Sequence, residues 1–275
     1  MCPRCGSLVG SEDDECVECG LRTGTPQHGL ASLWKLLNKY GSTTSILVGF
    51  IVVVYAGMVI LNGGIISDRR SGLLQGLLFG FDPNILLRCG MQYPNYVEHG
   101  QSWRLVSAMF LHGGLVHVAF NVYMLLQLGR LCELYFDARR TFILFFLSGL
   151  FGFIGSYLFG KTSVGASGAV LGLAGAVMVK ARFSSGGIDQ MIFASIGRWV
   201  VMVLLLSFLP MIDWVGHVFG LVAGGGIGYL LIWEGGVRPR VHLGLFWACV
   251  VILLCCLAMA AHFCLYNPPP YYVFR

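Results

Sequence analysis

Two residues with the chemistry of a nucleophile and a base stand in small, apolar surroundings. Ser167 lies within GASGAVLG (165–172), between one apolar stretch and the next, and His217 follows Asp213 near the start of a later one. A serine becomes a nucleophile when a histidine takes its proton. A serine at the start of a helix can equally act as its N-cap. The nucleophile hypothesis therefore requires that His217 lie close by.

Glycines offer a reason why the two residues could meet. The stretch that carries His217 has glycine at every fourth residue, namely Gly216, Gly220, Gly224 and Gly228. The stretch after Ser167 has a matching small face, formed by Gly168, Gly172 and Gly175. Such faces let two helices approach backbone to backbone. We therefore expect the imidazole to come within reach of the hydroxyl.

Polar groups in a third apolar stretch could assist the same chemistry. His117 and Asn121 are four residues apart and share one face of a helix, with His112 on a nearby face. Acyl transfer needs hydrogen-bond donors for the oxyanion. His117, Asn121 and the Ser167 amide, which lacks a partner within its own helix, can supply them. Structural packing is the alternative role for these side chains.

Composition places these residues in a membrane. The chain has 275 residues, of which 56% are hydrophobic and only 11% charged, with a mean hydropathy of +0.75. Seven stretches approach the ~20 residues that a spanning helix needs. They are 44–62, 104–128, 141–160, 167–184, 191–211, 213–233 and 243–265. The sequence thus predicts an all-α polytopic membrane protein, and the first stretch follows a polar segment rather than forming a cleaved signal peptide.

The charges predict an orientation and a membrane partner. Lys and Arg are more frequent in the segments that would face the cytoplasm if the N-terminus were inside, which puts the C-terminus outside. The net charge of +5 fits contact with an anionic lipid leaflet. The sequence has no basic run with interleaved aromatic residues, and so gives no indication of nucleic-acid binding.

The first 20 residues read MCPRCGSLVGSEDDECVECG and hold two C-x-x-C pairs, each followed by glycine. The four thiols belong to Cys2, Cys5, Cys16 and Cys19. Four thiolates suit a closed tetrahedral zinc site of the zinc-ribbon kind, which would supply the folding energy of so short a segment. Iron in the same ligands, a redox dithiol and unligated thiols are the alternatives. Reduced thiolates agree with a cytoplasmic N-terminus, where the ribbon could recruit a partner.

The remaining organisation follows from these segments. Residues 21–43 are a linker, in which 30–40 is either an interfacial helix or a lead-in to the first span. Residues 44–233 form the core, with a long first loop at 63–103, and residues 234–275 hold an inner loop, a further span and an outer tail.

Five motifs, in order, resemble those of the rhomboid family of intramembrane serine proteases. They are GQSWR (100–104), FLHGGLVHVAFN (110–121), LGRLCE (128–133), GASGAVLG (165–172) and GHVFG (216–220). The resemblance implies a six-helix core plus one additional C-terminal helix, with a site that opens outward. It implies a Ser167–His217 dyad without a carboxylate, and no cofactor for catalysis.

The resemblance also implies roles for residues around the dyad. The oxyanion site would comprise His117, Asn121 and the Ser167 amide. Structural residues near the site would be His112, Trp103, Arg104, Gly168 and Gly220. Three positions depart from the family's pattern. Gly216 stands where alanine is common, Phe219 replaces a usual glycine, and Leu171 stands where many members carry an aromatic residue.

The sequence therefore favours hydrolysis of peptide bonds in or beside the transmembrane helices of membrane-protein substrates. A catalytically silent adaptor that binds membrane clients is the alternative, and a transporter comes third because no spanning row of ionisable residues is present. Since no organelle address is apparent, the expected location is the cytoplasmic membrane of a prokaryote.

The cysteine pairs generate a prediction about metal content. Purified protein should contain about one metal ion per chain, because four thiolates fill one tetrahedral site. Cys2→Ser combined with Cys5→Ser should remove the metal, as measured by elemental analysis. Deletion of residues 1–20 should leave intrinsic cleavage largely intact, because the predicted topology puts this segment and the active site on opposite sides of the membrane. Stoichiometric metal in the double variant, or loss of all cleavage on deletion, contradicts these expectations.

Overall fold

A computed structural model describes residues 42–65, 80–184, 186–210, 212–233 and 239–266. The chain divides into residues 1–41 and residues 42–275. The predicted zinc ribbon, with Cys2, Cys5, Cys16 and Cys19, lies outside the described residues, as does the linker before Ser42. The zinc site therefore stays a prediction.

The described part of the chain is helical and contains no strand, only an isolated bridge between Gln92 and Ser163. The helices are α1 (Thr43–Ile65), α2 (Pro83–Cys89), α3 (Pro94–Glu98), α4 (Arg104–Ser107), α5 (Leu115–Leu158), α6 (Ser167–Phe183), α7 (Gly187–Leu206), α8 (Trp214–Trp233) and α9 (Pro239–Tyr266). A 3₁₀ turn, Ala108–Phe110, follows α4.

Five of the described helices, α1, α5, α7, α8 and α9, are long and apolar enough to cross a membrane. The prediction of a multi-pass membrane protein agrees with this finding. Helix α6 has 17 residues and is almost entirely enclosed by its neighbours rather than facing outward. Its small side chains pack inside the bundle, so α6 forms the centre of the fold.

The second predicted span begins eleven residues too early. Residues 104–110 form a short helix and a 3₁₀ turn, Leu111 is extended, and α5 starts only at Leu115. Gly114, which precedes α5, is also extended, and paired glycines favour a helix poorly. His112 therefore lies in the segment before the helix and not on the same helix as His117, which corrects the sequence prediction.

The second and third predicted spans are two helical segments that meet at a kink within α5, without a separate loop between them. Asp137 is the residue with non-helical angles (φ 72°, ψ 167°), and the helix runs on both sides of it. Its side chain accepts a hydrogen bond from the Arg140 amide at 3.0 Å, which caps the second half of the helix. Cys132 and Phe136 are buried just before the kink, so the first helical segment extends beyond the predicted end of the second span.

Glycines bring α6 and α8 into backbone contact at the centre of the bundle. A Cβ on Gly220 would lie 2.2 Å from the Gly168 carbonyl oxygen, and one on Gly224 would lie 2.0 Å from the Gly172 carbonyl oxygen. Both separations are far below van der Waals contact. Only glycine therefore allows the two helices to approach this closely, and the approach fixes the position of their N-terminal ends.

Helix α5 covers the other side of the same pair. A Cβ on Gly152 would lie 2.8 Å from the Gly216 carbonyl oxygen, and one on Gly155 would overlap the Phe219 ring at 2.4 Å. The phenyl ring of Phe219 thus packs on the bare backbone of Gly155. This contact explains how α8 accommodates a bulky residue at a position where the family commonly has glycine.

The motif LGRLCE at residues 128–133 attaches α1 to α5. Glu133 accepts hydrogen bonds from the Thr44 amide at 2.7 Å and from the Thr44 hydroxyl at 2.9 Å, and so caps the start of α1. A Cβ on Gly129 would lie 2.5 Å from the same hydroxyl. The glycine makes room for the threonine that the glutamate holds.

Replacing Gly224 tests whether the fold depends on this close approach. Gly224→Ala should lower the free energy of unfolding by about 1–3 kcal/mol or more, because the new methyl group meets the backbone of α6. Unfolding by sodium dodecyl sulfate in mixed micelles measures the change. Gly226→Ala on the same helix is the control, since a Cβ there meets nothing within 4 Å. Equal stability of the two variants contradicts the proposed packing constraint.

Candidate active site

Ser167 and His217 form a hydrogen bond at one end of the helical bundle. The distance between Ser167 Oγ and His217 Nε2 is 2.7 Å. Ser167 is the first residue of α6, and His217 lies in the first turn of α8, so the packing of the two helices places both side chains at the same end. The serine is half-buried and the histidine is only 7% exposed. A hydroxyl in such contact with an imidazole can be activated as a nucleophile.

The structure does not support the alternative that Ser167 caps its helix. Ala166 occupies the N-cap position of α6, and no side chain caps this helix end through a hydrogen bond. Among the described residues, the Ser167 amide donates to no carbonyl, as is normal for the first turn of a helix. The hydroxyl is thus directed to the histidine, and the amide is free to bind an anion.

His217 is held from its other side by a residue that the sequence analysis missed. Ser207 Oγ lies 2.5 Å from His217 Nδ1 and 2.7 Å from the Val203 carbonyl oxygen. Ser207 follows the last residue of α7 and is 1% exposed. Its only signal in the sequence is a lone polar residue in the apolar run LLLSFLP (204–210).

Asp213 fixes the start of α8 rather than the histidine ring. Its side chain accepts a hydrogen bond from the Gly216 amide at 3.1 Å and another from the Ser156 hydroxyl on α5. The first bond is a helix cap, and the second ties that cap to the neighbouring helix. Asp213 therefore positions the backbone that carries His217.

His117 lies against the segment that leads to Ser167. A Cβ on Gly165 would lie 2.7 Å from the His117 ring, at both Cε1 and Nε2. Gly165 has a φ of 118°, which other residues rarely adopt, so glycine here provides both the backbone conformation and the space for the imidazole. The imidazole of His117 thus lies against Gly165, which precedes Ser167 by two residues.

His112 also contacts this segment, from the extended stretch before α5. Its Nε2 atom accepts a hydrogen bond from the Ala166 amide at 3.5 Å, and its ring packs edge-on against His117 with centroids 5.0 Å apart. His112 is fully buried. The contact places it next to the nucleophile segment as a packing residue.

Asn121 lies one helical turn below His117 and is 2% exposed. Its side-chain nitrogen donates to the His117 carbonyl oxygen at 2.9 Å. One of the two N–H bonds of the amide is thereby used within the helix, and the other remains for a ligand. A hydrogen bond within α5 therefore joins the Asn121 side chain to the His117 backbone.

Trp103 and Arg104 organise the loop beside the site. The guanidinium of Arg104 donates to the carbonyl oxygens of Leu87 at 2.7 Å and Met91 at 3.0 Å, and to the Gln101 side chain at 2.7 Å. It also lies 4.6 Å from the centre of the Trp103 ring. Burial lowers the pKa of Arg104 to about 10, so the group stays charged at neutral pH.

Two backbone hydrogen bonds join this loop to the residues just before Ser167. The Ser163 amide donates to the Gln92 carbonyl at 3.1 Å, and the Gly165 amide donates to the Ala108 carbonyl at 2.9 Å. Helix α9 is attached to the same loop. Arg88 Nε donates to the Cys264 carbonyl at 2.8 Å, and the rings of Trp103 and Phe263 lie 5.4 Å apart.

The sequence that forms this site is similar to that of known proteins. Residues 99–234 match the family model of the Rhomboid domain. The matched region contains Ser167, His217 and the other residues of the site described above, except those of the loop before residue 99 and of α9. Similar proteins include RHOMBOID-like protein 5 of Arabidopsis thaliana, which is 34% identical over 60% of this chain and 57% of its own length.

Two further relatives are named as proteases. Rhomboid-like protease 1 of Toxoplasma gondii is 32% identical over 62% of this chain and 61% of its own length. Rhomboid protease GluP of Bacillus subtilis is 29% identical over 50% of this chain and 28% of its own length. These matches support the rhomboid family. The chain spans less than two thirds of these relatives, and because several are eukaryotic they do not support the expected prokaryotic membrane.

Proposed function

We propose that this chain is an intramembrane serine protease that hydrolyses peptide bonds in or beside transmembrane helices. The observation that carries the proposal is the 2.7 Å hydrogen bond between Ser167 Oγ and His217 Nε2 at the ends of two apolar helices. The Rhomboid-domain match over the same residues supports it. The Ser167–His217 dyad is part of the proposal.

In the proposed mechanism, His217 Nε2 takes the proton of Ser167 while Oγ attacks the carbonyl carbon of the scissile bond. The oxygen that gains negative charge is stabilised by the Ser167 amide and by donors from His117 and Asn121. The imidazolium then gives its proton to the leaving amine, and water hydrolyses the acyl-enzyme with the histidine as base. No step requires a metal or a cofactor from outside the chain.

The helical state of a substrate limits where it can be cut. In a membrane, the carbonyl groups of a spanning helix are satisfied by their own hydrogen bonds. A substrate must therefore unwind locally before its carbonyl can enter the oxyanion site. We propose single-span membrane proteins with helix-weakening residues near the active-site side as substrates, and a prokaryotic cytoplasmic membrane, with the N-terminus inside, as the location.

Ser167→Ala should abolish cleavage of a single-span model substrate and leave folding nearly unchanged, because it removes one oxygen atom. A fluorophosphonate probe should label the parent and not the variant. Ser163→Ala is the matched control, since Ser163 lies four residues before Ser167 and its described hydrogen bond is made by its backbone amide. Cleavage by purified Ser167→Ala protein rules out this nucleophile. A parent that binds substrate without cleaving it indicates the adaptor instead.

Asn121→Ala should lower kcat more than it raises KM, because an oxyanion donor acts mainly in the transition state. Loss of one donor decreases turnover by about 10²–10³-fold in a soluble protease, and a smaller decrease is expected here because the Ser167 amide and His117 remain. Gln127→Ala, an exposed residue on the same helix, is the control. An unchanged kcat with a raised KM assigns Asn121 to substrate binding instead.

A further inference from the structure

The hydrogen bonds of Ser207 form a directed chain that ends at the nucleophile. Its hydroxyl has one proton and contacts two groups, the Val203 carbonyl oxygen at 2.7 Å and His217 Nδ1 at 2.5 Å. A carbonyl oxygen can only accept, so the single hydroxyl proton goes to Val203. The hydroxyl oxygen must then accept a hydrogen bond from a proton on Nδ1.

This requirement selects one tautomer of the histidine. A neutral imidazole carries one N–H, and a proton on Nδ1 leaves Nε2 with a free lone pair. Nε2 faces Ser167 Oγ at 2.7 Å and accepts the hydroxyl proton of the nucleophile. The opposite tautomer would direct an N–H at the nucleophile and could not act as its base.

Asp213, the carboxylate nearest to His217 in the sequence, is not the hydrogen-bond partner of Nδ1. The Asp213 side chain accepts from the Gly216 amide and from the Ser156 hydroxyl, and the described partner of Nδ1 is Ser207. We therefore propose that Ser207 is the positioning residue for His217, in the place where soluble serine proteases use an aspartate. The inference rests on the proposed protease function and adds a third residue to the dyad.

The place of Ser207 in the fold supports a specific role. Helix α7 has only three buried residues, Ile196, Val200 and Val203, whereas Ser207 at its end is 1% exposed. Phe208, the next residue, stacks on Trp214 at the start of α8 with ring centroids 5.9 Å apart. The end of α7 is therefore held against the start of α8 where His217 lies.

Ser207→Ala should lower kcat by about 10- to 100-fold, the range that one hydrogen bond to a charged group supplies. KM should change by less than about twofold, because Ser207 does not reach the substrate side of the ring. Labelling by a fluorophosphonate should slow by a similar factor as kcat. Ser207→Thr, which keeps the hydroxyl, should restore most of the activity.

Ser184→Ala is the matched control. Ser184 also follows the end of its helix, α6, and donates to the carbonyl four residues earlier, at 3.0 Å, but it contacts no histidine. Its variant should keep parental kcat and KM. A loss of activity that arose only from disturbing a helix end would appear in both variants.

Nitrogen-15 spectra of histidine-labelled protein test the tautomer without an activity assay, with His217 assigned through His217→Gln. The parent should show a protonated Nδ1, and Ser207→Ala should show a gain of the Nε2–H form. If His217 of the parent protein carries its proton on Nε2, the proposal is overturned, even if Ser207→Ala fails to fold. An unchanged kcat in Ser207→Ala also overturns the proposal, provided that Ser167→Ala is inactive. If the parent neither cleaves nor reacts with the probe, the protease function fails, and the spectra alone decide the role of Ser207.

Discussion

The close approach of α6 and α8 is the constraint on which the rest of the structure depends. The Gly220 and Gly224 backbones rest on the Gly168 and Gly172 carbonyls at separations that leave no room for a side chain. In a bilayer, helices gain little from the hydrophobic effect on meeting each other, so tight van der Waals packing between small residues carries much of the association. The same contact sets the distance between the first turns of the two helices.

The hydrogen-bonded pair of Ser167 and His217 owes its geometry to that contact. Ser167 and His217 are 50 residues apart in sequence, yet each stands in the first turn of one of the two glycine-bearing helices. A side chain at the interface would separate the helix axes and lengthen the 2.7 Å hydrogen bond. The glycines therefore set the distance between the two side chains without taking part in their hydrogen bond.

Around this pair, three charged side chains, of which Arg104 is fully buried, connect neighbouring elements through hydrogen bonds. Asp213 joins the cap of α8 to Ser156 on α5, Glu133 joins α5 to Thr44 on α1, and Arg104 binds carbonyl oxygens of the loop beside the site. Each would be costly to bury alone. Together they hold the helices and the loop in one arrangement, which gives the site a fixed environment in a mostly apolar protein.

The sequence alone predicted which residues would carry the chemistry and which class of protein would hold them. Composition predicted a multi-pass helical protein, and the period of four in the glycines predicted which helices could approach closely. The structure locates the start of α5 at Leu115, after the extended Gly114, and the break between its two helical segments at Asp137. The partner of His217 Nδ1 could only come from the tertiary structure. Ser207 belongs to a helix with no motif, and its role exists because packing brings the end of α7 to the imidazole.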